Sequence, residues 1–343
     1  MRDFKGVKSR LAIEFSGWTG KSKAFAWAYR GSDQTPSVQR QFTAMEIRAI
    51  RFDLQGIAVG TQRPLKVPPV ITSRMAKGGV GKTTITANIS TCMAMMGFKV
   101  LMIDGDPQAS LSGVFGIDWS EQDVTHVGEL MRRANKGDPV YAAEAVIPMY
   151  SGNMLDLIPA SIDMANSDQW LTTVLDRGSA FTDLLEKEVA FFSQYDVIVV
   201  DSAPSSSLLT TSMMVASPTI LAVITPEGQS LGALTSLESN VQEINKYLKT
   251  RAHTVHIVVN RYNQSKKPHQ IILGQLFSTH SAYLNDTIVR DFVGFLRENV
   301  GRDIAKVGPL IENEPNSIGS RDIIELTKSL LKLYGITLPG SPV

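Results

Sequence analysis

A chain of 343 residues, with 34 Lys/Arg against 33 Asp/Glu and 43% hydrophobic residues, is long enough for about two domains and apolar enough for a sizeable core. Its single cysteine, Cys92, makes no intrachain disulfide and poorly supports a cysteine-held metal cluster, so a reducing cytoplasm is the expected setting. Met1 to Arg10 is charged with no apolar run behind it, which argues against a secretory leader. The most apolar neighbourhood, Met213 to Ile224, is broken by Ser217-Pro218 and too short to span a bilayer.

The net charge of +1 hides an uneven distribution. Residues 1–70 hold twelve Lys/Arg and five Asp/Glu, a local +7 that leaves −6 for the remainder. A basic segment attached to a slightly acidic body points to a polyanion contact at one end. Within it, Gly17-Trp18-Thr19-Gly20-Lys21-Ser22 ends like a phosphate-binding loop, but Phe15 stands where the first glycine is needed and no apolar strand leads in. Trp18, Trp27 and Tyr29 are expected to fill a small core rather than stack on bases. Thr43-Ala44-Met45-Glu46 reads as a capping box opening a short helix. Phe42 is spaced to staple onto Ile47, Ile47, Ile50 and Leu54 form its apolar stripe, and Gly56 stops it. Arg48 and Arg51 share a neighbouring face, expected to be exposed and available to phosphates. Arg63-Pro64-Leu65-Lys66-Val67 with Pro68-Pro69 reads as a stiff linker, giving domains at 1–67 and 68–343.

Val70-Ile71-Thr72 reads as a strand running into Lys77-Gly78-Gly79-Val80-Gly81-Lys82-Thr83-Thr84, and Thr83 to Met96 as the helix behind that loop, ended by Gly97. Three glycines let the backbone curl so that N–H groups and a helix N-terminus meet an anion. Lys82 supplies a point charge to β- and γ-phosphates, and the Thr83 hydroxyl is placed for Mg²⁺. The pattern calls for a nucleoside triphosphate. Its usual first glycine is replaced by Ala76, followed at once by Lys77.

Phe98 to Ile103 is apolar enough for a buried parallel strand that delivers Asp104 and Asp106 at its carboxyl end, where open α/β sheets bind ligands. Their spacing lets one approach the metal shell while the other faces the γ-phosphate. Tyr195 to Val200 is a further strand and ends in Asp201. Thr219 to Ile224 and Val255 to Val259 are two more, leading to Pro226-Glu227 and Asn260-Arg261. An amide at a strand end can both donate to and accept from a purine edge, or simply hold a turn. Pro226-Glu227 is expected to line the same pocket. The helix from Arg321 to Tyr334 carries Asp322 and Glu325 beside three cations and is expected to pack on the core rather than lie on a membrane.

Lys77 placed ahead of the glycines resembles the deviant Walker A loop of the ParA/MinD family of P-loop ATPases, and Leu101 to Phe115 resembles that family's Walker A′ segment, close to its ParA, SopA and RepA partitioning branch. The QFTAMEIRAIR stretch is similar to the motif ahead of the ATPase domain in SopA- and RepA-type proteins, where the N-terminal part carries a DNA-binding helix-turn-helix. The resemblance implies an α/β fold with a doubly wound, mostly parallel sheet, preceded by a small helical DNA-binding domain. It implies ATP and Mg²⁺ as cofactors, with Thr83 on the metal, Asp201 holding it through water, Asp104 in its outer sphere and Asp106 orienting the attacking water. Lys77 would reach the nucleotide of a second subunit, making dimerisation and ATP binding one event, and Asn260 would read adenine. DNA and a ParB-like centromere-binding protein would be the partners in a cytoplasmic, nucleoid-associated segregation ATPase, with Lys266, Lys267 and Arg290 as candidate nonspecific DNA contacts. Asp201-Ser202-Ala203-Pro204 departs from the two prolines usual after the Walker B carboxylate. A nucleotide-switched operator-binding repressor and a positioning ATPase for a non-DNA cargo are the rival readings.

Overall fold

Aliphatic and β-branched runs become the strands of one seven-stranded sheet: β3 (Val70–Arg74), β4 (Val100–Gly105), β5 (Ile147–Tyr150), β6 (Leu155–Ile158), β7 (Val197–Ser202), β8 (Thr219–Ile224) and β9 (Thr254–Val259). The computed structural model describes residues 6–17, 41–58, 61, 63–118, 120, 123–248, 253–299 and 307–338. Trp18, Trp27, Tyr29 and the loop from Trp18 to Ser22 lie outside them. The strand order is β5-β6-β4-β7-β3-β8-β9, parallel throughout except for β5, an antiparallel edge on β6. This is the expected doubly wound sheet.

Alternate residues of the central strands feed two cores. Ile71, Met102, Val197 and Val199 enter one, while Val70, Leu101, Ile103, Ile198 and Val200 enter the other with Leu130, Phe181 and Met213. Both faces are covered, which is why the strands read as continuous apolar runs rather than alternating ones. Helix α3 (Lys82–Met95) lies on the first face and is buried nearly all round. Gly97 follows it at φ +89°. The β4 strand begins at Val100, two residues later than the apolar run suggests, and extends through Asp104 and Gly105, which pair with Asp201 and Ser202. That register sets the two acidic strand ends side by side. No helix among the described residues is long and apolar enough to cross a membrane.

The described N-terminal elements pack against the body of the sheet. Strand β1 (Val7–Lys8) pairs with β2 (Gln41–Phe42), and helices α1 (Ser9–Ser16) and α2 (Ala44–Leu54) complete the unit. The capping box forms as expected, with Glu46 N donating to Thr43 Oγ1 (3.2 Å) and Thr43 N donating to Glu46 Oε2 (2.8 Å). Yet Val7, Leu11, Phe15, Phe42, Ile47 and Ile50 belong to the same core cluster as Ile85 and Met93 of α3. The described part of residues 1–67 therefore shares a core with the body at 68–343. A Cβ on Gly97 would stand 2.9 Å from Arg48 Cα, so only glycine lets α2 approach so closely.

Arg48 and Arg51 are corrected by the same packing. Arg48 donates to Gly97 O (2.8 Å) and pairs with the buried Asp196 carboxylate, which Arg63 Nε also reaches at 3.0 Å. Arg51 donates to Met96 O (2.8 Å) and lies over the Phe98 ring at 4.4 Å. Burial lowers the Arg51 pKa to about 10. The two cations satisfy carbonyls at the α3 C-terminus, where positive charge is favoured. They staple α2 to the ATPase body and are not a free face for phosphates.

Candidate nucleotide-binding site

A cleft of about 930 Å³ is lined by residues from the carboxyl ends of β3, β4 and β9. The loop after β3 turns through Gly79 (φ +73°) and Gly81 (φ +88°), and Gly81 caps α3. Two side chains at the end of β9 hold it from behind: Asn260 Nδ2 donates to Val80 O (2.8 Å) and Arg261 Nη1 to Gly79 O (2.9 Å). With those carbonyls engaged, the amide side of the loop and the α3 N-terminus are left for an anion. A Cβ on Gly81 would lie 2.3 Å from Asn260 Nδ2. Asn260 accordingly does the turn-holding job that the sequence left open. Its Nδ2 braces the loop and its Oδ1 accepts from Arg261 N (2.9 Å), so the amide is committed to the protein although the residue lines the cleft.

Gly78, Gly79, Gly81, Lys82, Thr83 and Thr84 all line the cleft, as does Asp106. The Lys82 ammonium is buried, and desolvation lowers its pKa while Asp201 and Asp106 pull it back up. Thr83 Oγ1 donates to Asp201 Oδ2 (2.6 Å), whereas Asp201 Oδ1 is buried without a hydrogen-bond partner. Burial, reinforced by the neighbouring Asp104 charge, raises the Asp201 pKa to about 7. An orphaned carboxylate oxygen beside a threonine hydroxyl suits a hard divalent cation held through oxygen ligands. Thr83 and Asp201 thus fit the expected Mg²⁺.

Asp104, the expected outer-sphere residue, lies beside Asp201 in the strand register. It is fully buried, its Oδ2 accepts from Ser112 N and Ser112 Oγ at 2.8 Å each, and its Oδ1 accepts from Asp106 N at 3.2 Å. Burial raises its pKa to about 6. Its oxygens shape the turn that presents Asp106. Asp106 Oδ1 accepts from Gln108 N (3.0 Å), and both residues face the cleft.

Lys77 is not among the residues lining the cleft of its own chain, and its ammonium pairs with Glu227 just after β8. Pro226 is buried in that turn and does not line the cleft either. The cleft is lined in addition by Ile117, Asp291, Phe292, Phe295 and Leu296. Sequence reasoning missed these residues: they carry no periodic pattern, and backbone bonds such as Val289 N to Val259 O (2.9 Å) bring them beside β9. Helices α4 to α10 (Ser110–Val114, Val127–Lys136, Ser167–Leu171, Ala180–Lys187, Val189–Phe192, Leu208–Val215 and Gly228–Tyr247) precede α11 (Lys267–His280), and of the expected DNA contacts Lys266 and Lys267 are exposed at the start of α11. Arg290 is exposed as well, and it is paired with Asp322 through Nε (2.9 Å) and Nη2 (2.5 Å).

Residues 69–254, more than half of the chain, match the AAA domain family. The chain is 31% identical over 201 residues to the chromosome partitioning protein ParA of Caulobacter vibrioides, which covers 59% of this chain and 71% of that one. A plasmid partition protein from Borrelia burgdorferi shares the fold with a TM-score of 0.57 at 19% identity, over 78% of this chain and 100% of its own. So does the cobyrinic acid a,c-diamide synthase of Mycobacterium smegmatis with bound ATP analog and magnesium, with a TM-score of 0.63 at 20% identity over 78% and 96%. With its lysine-led glycine loop, its parallel sheet and these matches, the chain belongs to the AAA domain family and is a P-loop ATPase of the ParA/MinD type.

Proposed function

We propose that this protein binds and hydrolyses ATP with Mg²⁺ and acts as a dimer-forming DNA-partitioning ATPase. The observation that carries this reading is the division between its two loop lysines: Lys82 lines the cleft, while Lys77 stands outside it on an exposed ion pair with Glu227. An exposed pair of this kind contributes little, on the order of 1 kcal/mol or less, so Lys77 is available to a second subunit's phosphates at small cost. Thr83 and Asp201 would hold Mg²⁺, which supplies charge neutralisation at the β- and γ-phosphates. Lys82 and the loop N–H groups orient the triphosphate, and Asp106, presented by Asp104 and Ser112, orients the attacking water.

The partitioning assignment is supported by identity to a chromosome partitioning protein and by fold likeness to a plasmid partition protein. In this reading the dimer holds DNA without sequence preference, through exposed cations such as Lys266 and Lys267, and a ParB-like partner accelerates hydrolysis in a cytoplasmic, nucleoid-associated cycle. Operator reading by α2 is disfavoured, because Arg48 and Arg51 are engaged within the chain. The test is sedimentation and binding to random-sequence DNA with ATP and with ADP, using the native chain and Asp106→Ala. Native protein should dimerise and hold DNA only with ATP, and Asp106→Ala should remain in that state. ATP-independent association, or normal turnover by Asp106→Ala, would overturn the cycle.

A further inference from the structure

Arg74 is the last residue of β3, three positions before Lys77, and only 1% of its surface is exposed. A buried cation is ordinarily matched by a carboxylate. Here every acceptor of the guanidinium is neutral: Pro204 O at 2.9 Å and Ala203 O at 3.4 Å from Nη1, and Ser206 Oγ at 3.2 Å from Nη2. Its Nε is buried without a partner. All three acceptors lie in one loop, the 203–206 segment that follows Asp201.

That loop has open space on several sides. Pro204 lines the nucleotide cleft, Ser206 lines a second cavity of about 550 Å³ with Arg74 in its wall, and Ala203, Ser205 and Ser206 line a third of about 370 Å³. Its ends are pinned, since Ser202 Oγ donates to Ser73 O (2.7 Å) and the N–H groups of Leu208 and Leu209 donate to Asp168 (3.2 and 3.0 Å). Between those pins the Arg74 guanidinium is the polar tether from the sheet.

We propose that Arg74 is a positioning residue for ATP hydrolysis, clamping the 203–206 loop by its carbonyls so that Pro204 keeps the wall of the cleft facing Asp106 and Gln108. This rests on the ATPase reading above. The tether acts on the catalytic geometry and not on phosphate binding, because the guanidinium holds the loop without lining the cleft itself. A rigid wall there excludes bulk water and keeps the attacking molecule aligned.

The test uses the full chain with Arg74→Met and Arg74→Lys, read by MgATP affinity, kcat and hydrogen exchange of residues 203–207. Arg74→Met should keep ATP affinity within about twofold, lower kcat about tenfold or more, and speed exchange of the loop about tenfold. Arg74→Lys should fall between, since one ammonium cannot hold three acceptors in the guanidinium's geometry; it carries the test if the methionine variant does not fold. Native exchange of the loop in either variant overturns the tether, and native kcat with a loosened loop overturns its role in hydrolysis. A native chain that binds ATP without turning it over would sink the ATPase reading, while loop exchange would still decide the tether.

Discussion

Replacing Asp201 with asparagine should stabilise the nucleotide-free protein while removing its response to Mg²⁺. The folded chain raises the Asp201 pKa from 3.8 to about 7 through burial and the Asp104 charge. A carboxylate with a raised folded pKa favours folding in its protonated form, so its penalty is absent below the unfolded pKa, grows as pH rises from there, and is complete above the folded pKa. A shift of about three units at about 1.36 kcal/mol each amounts to about 4 kcal/mol at pH ~8, falling to about 2 kcal/mol at pH ~5.5. Asn keeps an oxygen for the Thr83 hydroxyl and carries no charge. Thermal unfolding with chelator should therefore show Asp201→Asn melting several degrees above the native chain at the higher pH, with roughly half that advantage at the lower. The native chain should bind MgATP more tightly as pH rises through about 7, because the metal displaces a proton. A variant that melts at or below the native temperature, or a difference independent of pH, would refute the claim that this carboxylate is held at an energetic cost for a cation.

Lys77→Ala should leave nucleotide affinity within about threefold but abolish the ATP-dependent dimer in sedimentation, since its ammonium does not serve its own cleft; an unchanged dimer would remove the trans role. Gly81→Ala drives a methyl group to 2.3 Å from Asn260 Nδ2 at φ +88°, so affinity for a fluorescent ATP analogue should fall about tenfold or more, and native affinity would discard the brace. Asp196→Ala leaves Arg48 and Arg63 without their shared carboxylate. Denaturant unfolding should register a loss of about 3–5 kcal/mol, and limited proteolysis should then cut between α2 and β3; a native midpoint would favour the two-domain reading.

The strands and the α2 and α3 helices were legible because each is specified within its own few residues: apolar runs of strand length, a glycine stop, a threonine and glutamate three apart. The phosphate loop was legible for the same reason, since its chemistry is contiguous. Arg48 and Arg51 were misread because helix spacing shows that two arginines share a face, but not that the face meets carbonyls at Met96 and Gly97 some 45 residues on. The choice between the two readings of Asn260 was not legible for the same reason, its partner Val80 lying 180 positions away.

Composition and local pattern by themselves determined a parallel α/β sheet, a triphosphate loop with two lysines, and acidic residues at two strand ends. Only the tertiary structure decided which of the three aspartates has a buried oxygen without a partner, which lysine stands outside its own cleft, and that a buried Arg74 ties down the loop behind Asp201. The reason is one of range. Backbone propensity and periodicity act over a turn or a strand, whereas desolvation and charge pairing depend on whatever the fold brings within a few ångströms.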